Sequence, residues 1–211
     1  MRKNLALSLL TMSVLVAVPA MAAAPLIEDG GAMSDAERSF LIDQMEASKK
    51  AFLASISGLS EAQWKFKPAP TVWSVAECAE HIVLAEDFIF QGAMSVMKTP
   101  AVARPENSNG AFDKMLAAGV QDRSHKFTAP EPITPSGKVN STDDAIRLFT
   151  EKRDRNEAYV KTTSDDLRTH VGPGPAGTMD AYQFLILMAN HTARHTAQIK
   201  EVQANANYPT K

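Results

Sequence analysis

Cysteine is almost missing from this sequence: Cys78 stands alone in 211 residues. A lone thiol excludes an internal disulfide framework and any zinc site built from paired cysteines. No excess of one charge exists either, since 22 Lys and Arg face 24 Asp and Glu. So mild a balance leaves no electrostatic footprint for nucleic acid or an anionic lipid surface. Strand-type alternation is nearly absent, which argues against a sandwich or barrel. The chain also lacks H-E-x-x-H, G-x-S-x-G and a phosphate-binding loop, and with them the enzyme classes those motifs serve. Its glycine-rich stretch, GPGPAG from Gly172 to Gly177, places prolines where a phosphate cradle needs free backbone N–H groups.

Among what is present, the longest charge-free apolar run is LALSLLTMSVLVAV, Leu5 to Val18. It follows the basic start MRKN and precedes the small-x-small pattern Ala20-Met21-Ala22. The run is shorter than the ~20 residues of a spanning helix, and its flanks read as a secretory signal. Residues 1–22 are therefore expected to be removed, leaving no membrane attachment and a periplasmic or secreted protein. Loss of Arg2 and Lys3 makes the balance two charges more acidic. Residues 23–33 read as a short linker, 34–205 as one domain and 206–211 as a tail. Without disulfides such a domain must rest on a packed core, and 45% apolar composition permits one.

Helix signals dominate that domain. Ser34 with Glu37 and Ser74 with Glu77 form capping-box patterns, each followed by apolar residues at helical spacing. The first predicted helix runs to Gly58 and a short capped turn follows at Ser60 to Trp64. The second runs to about Met97, with Trp73 placed to staple onto Cys78, itself read as a small buried apolar residue. A third begins at Ser141 or Thr142; its apolar stripe of Ile146, Phe149 and Tyr159 is interrupted by charge. A fourth is expected from about Thr178 to Ala204. Residues 98–141 are rich in Pro, Gly, Ser and Asn and frame a short helix at Ala111 to Asp122. The expectation is an all-α, four-helix bundle with a long crossover between helices two and three.

Five histidines are available for chemistry. On helix four, the apolar stripe Phe184, Met188, Ile199, Val202 passes through His191 and His195, so both rings face the core. Residues four apart stack on one helix face, and two ring nitrogens can converge on one ion. By itself this spacing fits satisfied core histidines at least as well. His81, at the edge of the apolar face marked by Val75, Ile82 and Ile89, can join the pair if helices two and four are neighbours. His125, inside the crossover, reads as solvent-facing, and His170 as a loop hydrogen-bonding residue. Glu77, Glu80, Glu86 and Asp87 read mostly as a solvated face; Glu80 or Asp87 could instead orient an imidazole or act as a catalytic base.

The stretch LSEAQWKFKPAPTVWSVAECAEHIVLAEDF and the later HTARHTAQIKEV resemble the DinB-like superfamily. The phrase DRSHKFTAPEPITPSGKVNSTDDAIRLFTEKRDR is similar to the crossover and third helix of its larger subgroup, and the resemblance spans about residues 36–204. It implies a four-helix bundle with a divalent metal, commonly zinc or nickel, on three histidines, whose positions match His81, His191 and His195. It also implies either metal-dependent hydrolysis or a thiol-dependent transfer or isomerisation. Export away from the reduced cytosolic thiol pool weighs against the thiol chemistry. An ion on three neutral imidazoles keeps its double charge and open positions, which suits attack on an ester or amide of a small-molecule substrate. The alternatives are a non-catalytic metal- or ligand-binding module and a core-histidine cluster without metal. An exposed helix face could support a homodimer.

Overall fold

The computed structural model describes residues 32–210. The expected signal peptide, and all of the expected linker except its last two residues, lie outside them. Four long helices form the body: α1 (Asp35–Ile56), α3 (Val75–Val96), α5 (Thr142–Thr162) and α6 (Ala181–Gln203), with shorter α2 (Glu61–Lys65) and α4 (Gly110–Gln121) between them. The helix starts follow from reciprocal capping. The Ser34, Ser60 and Ser74 hydroxyls accept from the backbone N–H three residues on, and Glu37, Gln63 and Glu77 reach back to the cap N–H. Beyond α1, Gly58 takes a positive φ of 68°, the left-handed conformation that commonly closes a helix.

Helix α6 is central, packing on α1, α3 and α4, while α5 packs on α1 and α3. Thus α1 and α3, successive among the long helices, contact α5 and α6 more than each other. The crossover between α3 and α5 lays α4 along α6 and then a 3-10 turn, Glu131–Ile133, against α3. Two apolar clusters fill the body, one around Leu41, Met45, Leu185 and Ile186, the other around Phe52, Ile82, Phe149 and Ile199. Among the described residues, no helix is long and apolar enough to cross a membrane.

Two expectations are corrected. Residues 171–180 were expected as a loop leading into a helix at Thr178, but they form a hairpin, β1 (Val171–Gly174) antiparallel to β2 (Gly177–Asp180). Gly177 turns it at φ 92°, and at Gly174 a Cβ would sit 2.5 Å from Met179 Sδ. Helix α6 therefore starts three residues late, on Asp180, whose carboxylate accepts from the Gln183 N–H at 2.7 Å. The second correction concerns the acidic face of α3. Glu80 and Glu86 are only 2% and 1% exposed.

Each buried acid has a partner, as burial of a charge demands. Glu86 receives Nη2 and Nε of the fully buried Arg153 at 2.5 and 3.0 Å. Arg153 also donates to the Met45 carbonyl (2.7 Å), Ser48 Oγ (2.9 Å) and Thr192 Oγ1 (3.0 Å). One guanidinium carried by α5 thereby touches the other three long helices. At the hairpin end, buried Arg168 gathers Glu37, Asp113 and Asp180. Burial opposes the charge on Glu37, but the Ser34 cap and Arg168 outweigh it and hold the carboxyl at about 2.

Candidate metal centre

The packing of α3 on α6 brings His81 from the first helix to His191 and His195 from the second. His81 Nε2 lies 3.2 Å from Nε2 of each of the other two. The three ligand atoms all lie within 4.8 Å of one another. Nitrogens about 2.1 Å from one ion stand ~3.0 Å apart at right angles and ~3.4 Å apart at the tetrahedral angle. The 3.2 Å spacings fall between these limits.

The outer ring nitrogens decide which tautomer is present. His81 Nδ1 is 2.7 Å from the Ile133 carbonyl oxygen, which can only accept, so the hydrogen is on Nδ1 and the lone pair on Nε2. His195 Nδ1 is 2.8 Å from Gln198 Oε1, an oxygen that also accepts from Arg123 Nη1 at 3.3 Å. Since arginine only donates, this amide presents its oxygen, and His195 too carries its hydrogen outward. The Nε2 lone pairs of His81 and His195 therefore face each other with no hydrogen between them. A cation bound between them would relieve that arrangement.

A proton is disfavoured in that role. Burial lowers the pKa of His81 against the Ile133 bond, and burial followed by the His81 charge lowers His195 to about 3. Burial, with His195 and His81 adding repulsion, holds His191 well below the ordinary histidine value. Neutral imidazoles, two of them with the Nε2 lone pair turned inward, are the form a divalent metal requires. His191 Nδ1 is buried and without a hydrogen-bond partner, so this ring alone lacks an outer acceptor. Trp73 walls one side, its ring 4.9 Å from that of His81 and 6.2 Å from that of His195.

The other candidates are placed elsewhere. Glu80 turns to the crossover, accepting from the backbone N–H groups of Ser136 (3.1 Å), Gly137 (2.8 Å) and Lys138 (3.0 Å) and from Ser136 Oγ. Asp87 pairs with Lys152 and Arg155 of α5. Neither carboxylate bonds directly to an imidazole. His170 bonds the Thr99 carbonyl at 2.6 Å, and His125 is exposed, as read from sequence. Cys78 is fully buried, and burial pushes its thiol up to about 12, far from a nucleophile.

Four contributors were not foreseen as site residues: Ile133, Arg123, Gln198 and Arg194. The Ile133 carbonyl is backbone and leaves no trace in composition. Arg123 lies in the crossover, far away in sequence, and the only local signal for Gln198 was its position three residues after His195. Arg194, between the two α6 histidines, donates to the carbonyls of Val120, Asp122 and His125 and so ties the end of α4 to the ligand helix.

A family model described as DinB superfamily matches residues 44–199. The chain belongs to the DinB superfamily. No curated protein matches it. This DinB-superfamily fold is similar to that of YfiT from Bacillus subtilis, with a TM-score of 0.56 and 13% identity over 84% of this chain and 91% of that one. YfiT is described as a probable metal-dependent hydrolase with an unusual four-helix bundle topology. At that identity the likeness establishes the shared bundle fold, and the site must be argued from this chain's own residues.

Proposed function

We propose that His81, His191 and His195 hold a divalent metal and that the protein is a metal-dependent hydrolase acting on a small molecule. The observation carrying this reading is the pair of fixed tautomers that point Nε2 lone pairs at a common centre. When bound, such an ion supplies Lewis-acid polarisation of a carbonyl and lowers the pKa of its water toward ~7. The chain's own part is to keep three rings neutral, to orient two of them through Ile133 and Gln198, and to shield one side with Trp73.

Two further features favour catalysis over a purely structural ion. Among the described residues the cluster contains three potential ligands, whereas structural zinc is usually closed by four. His170 and Asp87, two further side chains able to ligate a metal, are engaged elsewhere. The signal-like residues 1–22 support export and work in the periplasm or outside the cell. Zinc and nickel both suit an all-imidazole site.

The test is metal analysis of untagged protein purified with supplemented zinc or nickel, alongside His191→Ala. Near-stoichiometric metal in the wild type and its loss in the variant are expected, followed by turnover in an ester and amide screen. Equal, near-zero metal in both sinks the site. Full metal with no turnover in that screen points instead to a binding module.

A further inference from the structure

We infer that Glu80, which touches no imidazole, is the positioning residue for His81 and acts by anchoring the crossover backbone that fixes that ring. The chain of contacts is short. Successive N–H groups of Ser136, Gly137 and Lys138 surround the Glu80 carboxylate, and the Ser136 hydroxyl joins them. Gly137 has φ 79°, so the loop curls its donors onto one anion in the manner of a backbone nest. Three residues earlier in the chain, the Ile133 carbonyl accepts from His81 Nδ1.

The intervening segment is stiff enough to carry position from one point to the other. Pro130, Pro132 and Pro135 fix three φ angles, and the 3-10 turn closes with Ile133 N–H to Pro130 carbonyl and Thr134 N–H to Glu131 carbonyl bonds, both 3.1 Å. Glu80 and His81 are adjacent on α3, so the carboxylate and the imidazole grip the same segment from neighbouring positions. A carboxylate that is 2% exposed has given up its water for these four bonds, a large commitment for a loop tether alone. Through it, the ring is held with Nδ1 outward and Nε2 toward its two partners.

The competing explanation is that the buried side chains of Ile133 and Val139 hold the crossover without help. Two readouts on the full-length protein separate the explanations. Ring-nitrogen NMR of the metal-free protein reports the His81 tautomer, and cobalt(II) titration reports affinity. Only the second rests on the metal reading.

In Glu80→Ala, His81 should lose its single Nδ1–H state and cobalt affinity should fall roughly 10- to 100-fold, the usual effect of removing an imidazole's outer support. Glu80→Gln keeps the Oε1 acceptor but sets an NH2 group against the Gly137 N–H, so it should fall between wild type and Ala. Should Glu80→Ala not fold, the Gln variant decides. Val160→Ala, a cavity on α5, controls for lost stability and should leave tautomer and affinity unchanged. An unaltered His81 tautomer and wild-type affinity in both Glu80 variants would overturn the inference in favour of the apolar anchors. If the wild type takes no cobalt, the metal reading fails, while the tautomer comparison still decides for or against Glu80.

Discussion

Replacing Arg153 by Met tests whether the buried polar network, rather than apolar packing alone, ties the bundle together. Arg153 is fully buried and makes five hydrogen bonds, two of them to a Glu86 carboxylate that is itself 1% exposed. Met follows the apolar stem as far as the Nε position, so the packing of the stem is kept while the guanidinium is lost. The penalty comes from Glu86, left with the Thr192 hydroxyl at 3.1 Å and a long contact to Asn156 at 3.4 Å. Breaking a buried ion pair by removing one partner costs about 3–5 kcal/mol. For a domain of this size that is a fall in Tm of roughly 6–20 °C. The double variant Arg153→Met/Glu86→Leu removes both charges and should recover at least half of the loss, since an apolar pair of similar volume can replace a buried ion pair. Urea unfolding of the metal-free protein, with an unchanged m-value, gives the four corners of the cycle. The reasoning is refuted if Arg153→Met stays within about 1 kcal/mol of wild type. It is also refuted if the double variant is less stable than Arg153→Met.

The histidine triad makes a pH prediction of definite sign. All three folded-state pKa values lie below the ordinary 6.5, so between there and about 5 the unfolded chain binds more protons. Stability of the metal-free protein should therefore fall as pH drops through this window, by up to about 1.4 kcal/mol per pH unit for each histidine; a flat urea profile from pH 7 to 5 contradicts it. Glu37, held at about 2, adds its own loss only at lower pH, below its ordinary 4.5. Gly174→Ala forces a methyl against Met179 and Phe184 and should cost about 1–3 kcal/mol, read as a shift in urea midpoint. Ser74→Ala removes the cap of the helix carrying His81 and should cost about 1 kcal/mol in the same assay.

Much of the architecture was legible because helix ends carry local chemistry. The Ser34 and Ser74 starts were readable as patterns of two side chains three residues apart and Ser60 as a capped turn, and each occurs as a box with both bonds formed. The start of α6 was misplaced, although Asp180 and Gln183 have the same spacing and form the same box. The apolar run after Thr178 concealed it, and a four-residue hairpin strand has too few residues to show a period. His191 and His195 stood out because an apolar stripe passes through them, whereas His81, at the edge of its face, stood out through the family resemblance; the fold brings the three together. The same logic applied to α5 would have exposed Arg153. Its buried positions Ala145, Phe149, Arg153, Asn156 and Val160 form one stripe, and the charge that interrupted the apolar pattern is the core contact itself. What a buried charge pairs with, however, lies on another element and has no local signature. Glu86 and Glu80 looked like solvated acids for that reason.

The two oriented ligands differ in what holds them. His195 leans on a side chain, Gln198, that a single base change can delete. His81 leans on the peptide oxygen of residue 133, which every amino acid supplies. Substitution in the crossover can therefore vary the surface around the site widely without erasing this support, while insertion or deletion that moves the backbone path cannot. The segment next to the three histidines is thus free to change its side chains yet constrained in backbone path, so its surface can vary while the spacing of the rings is kept.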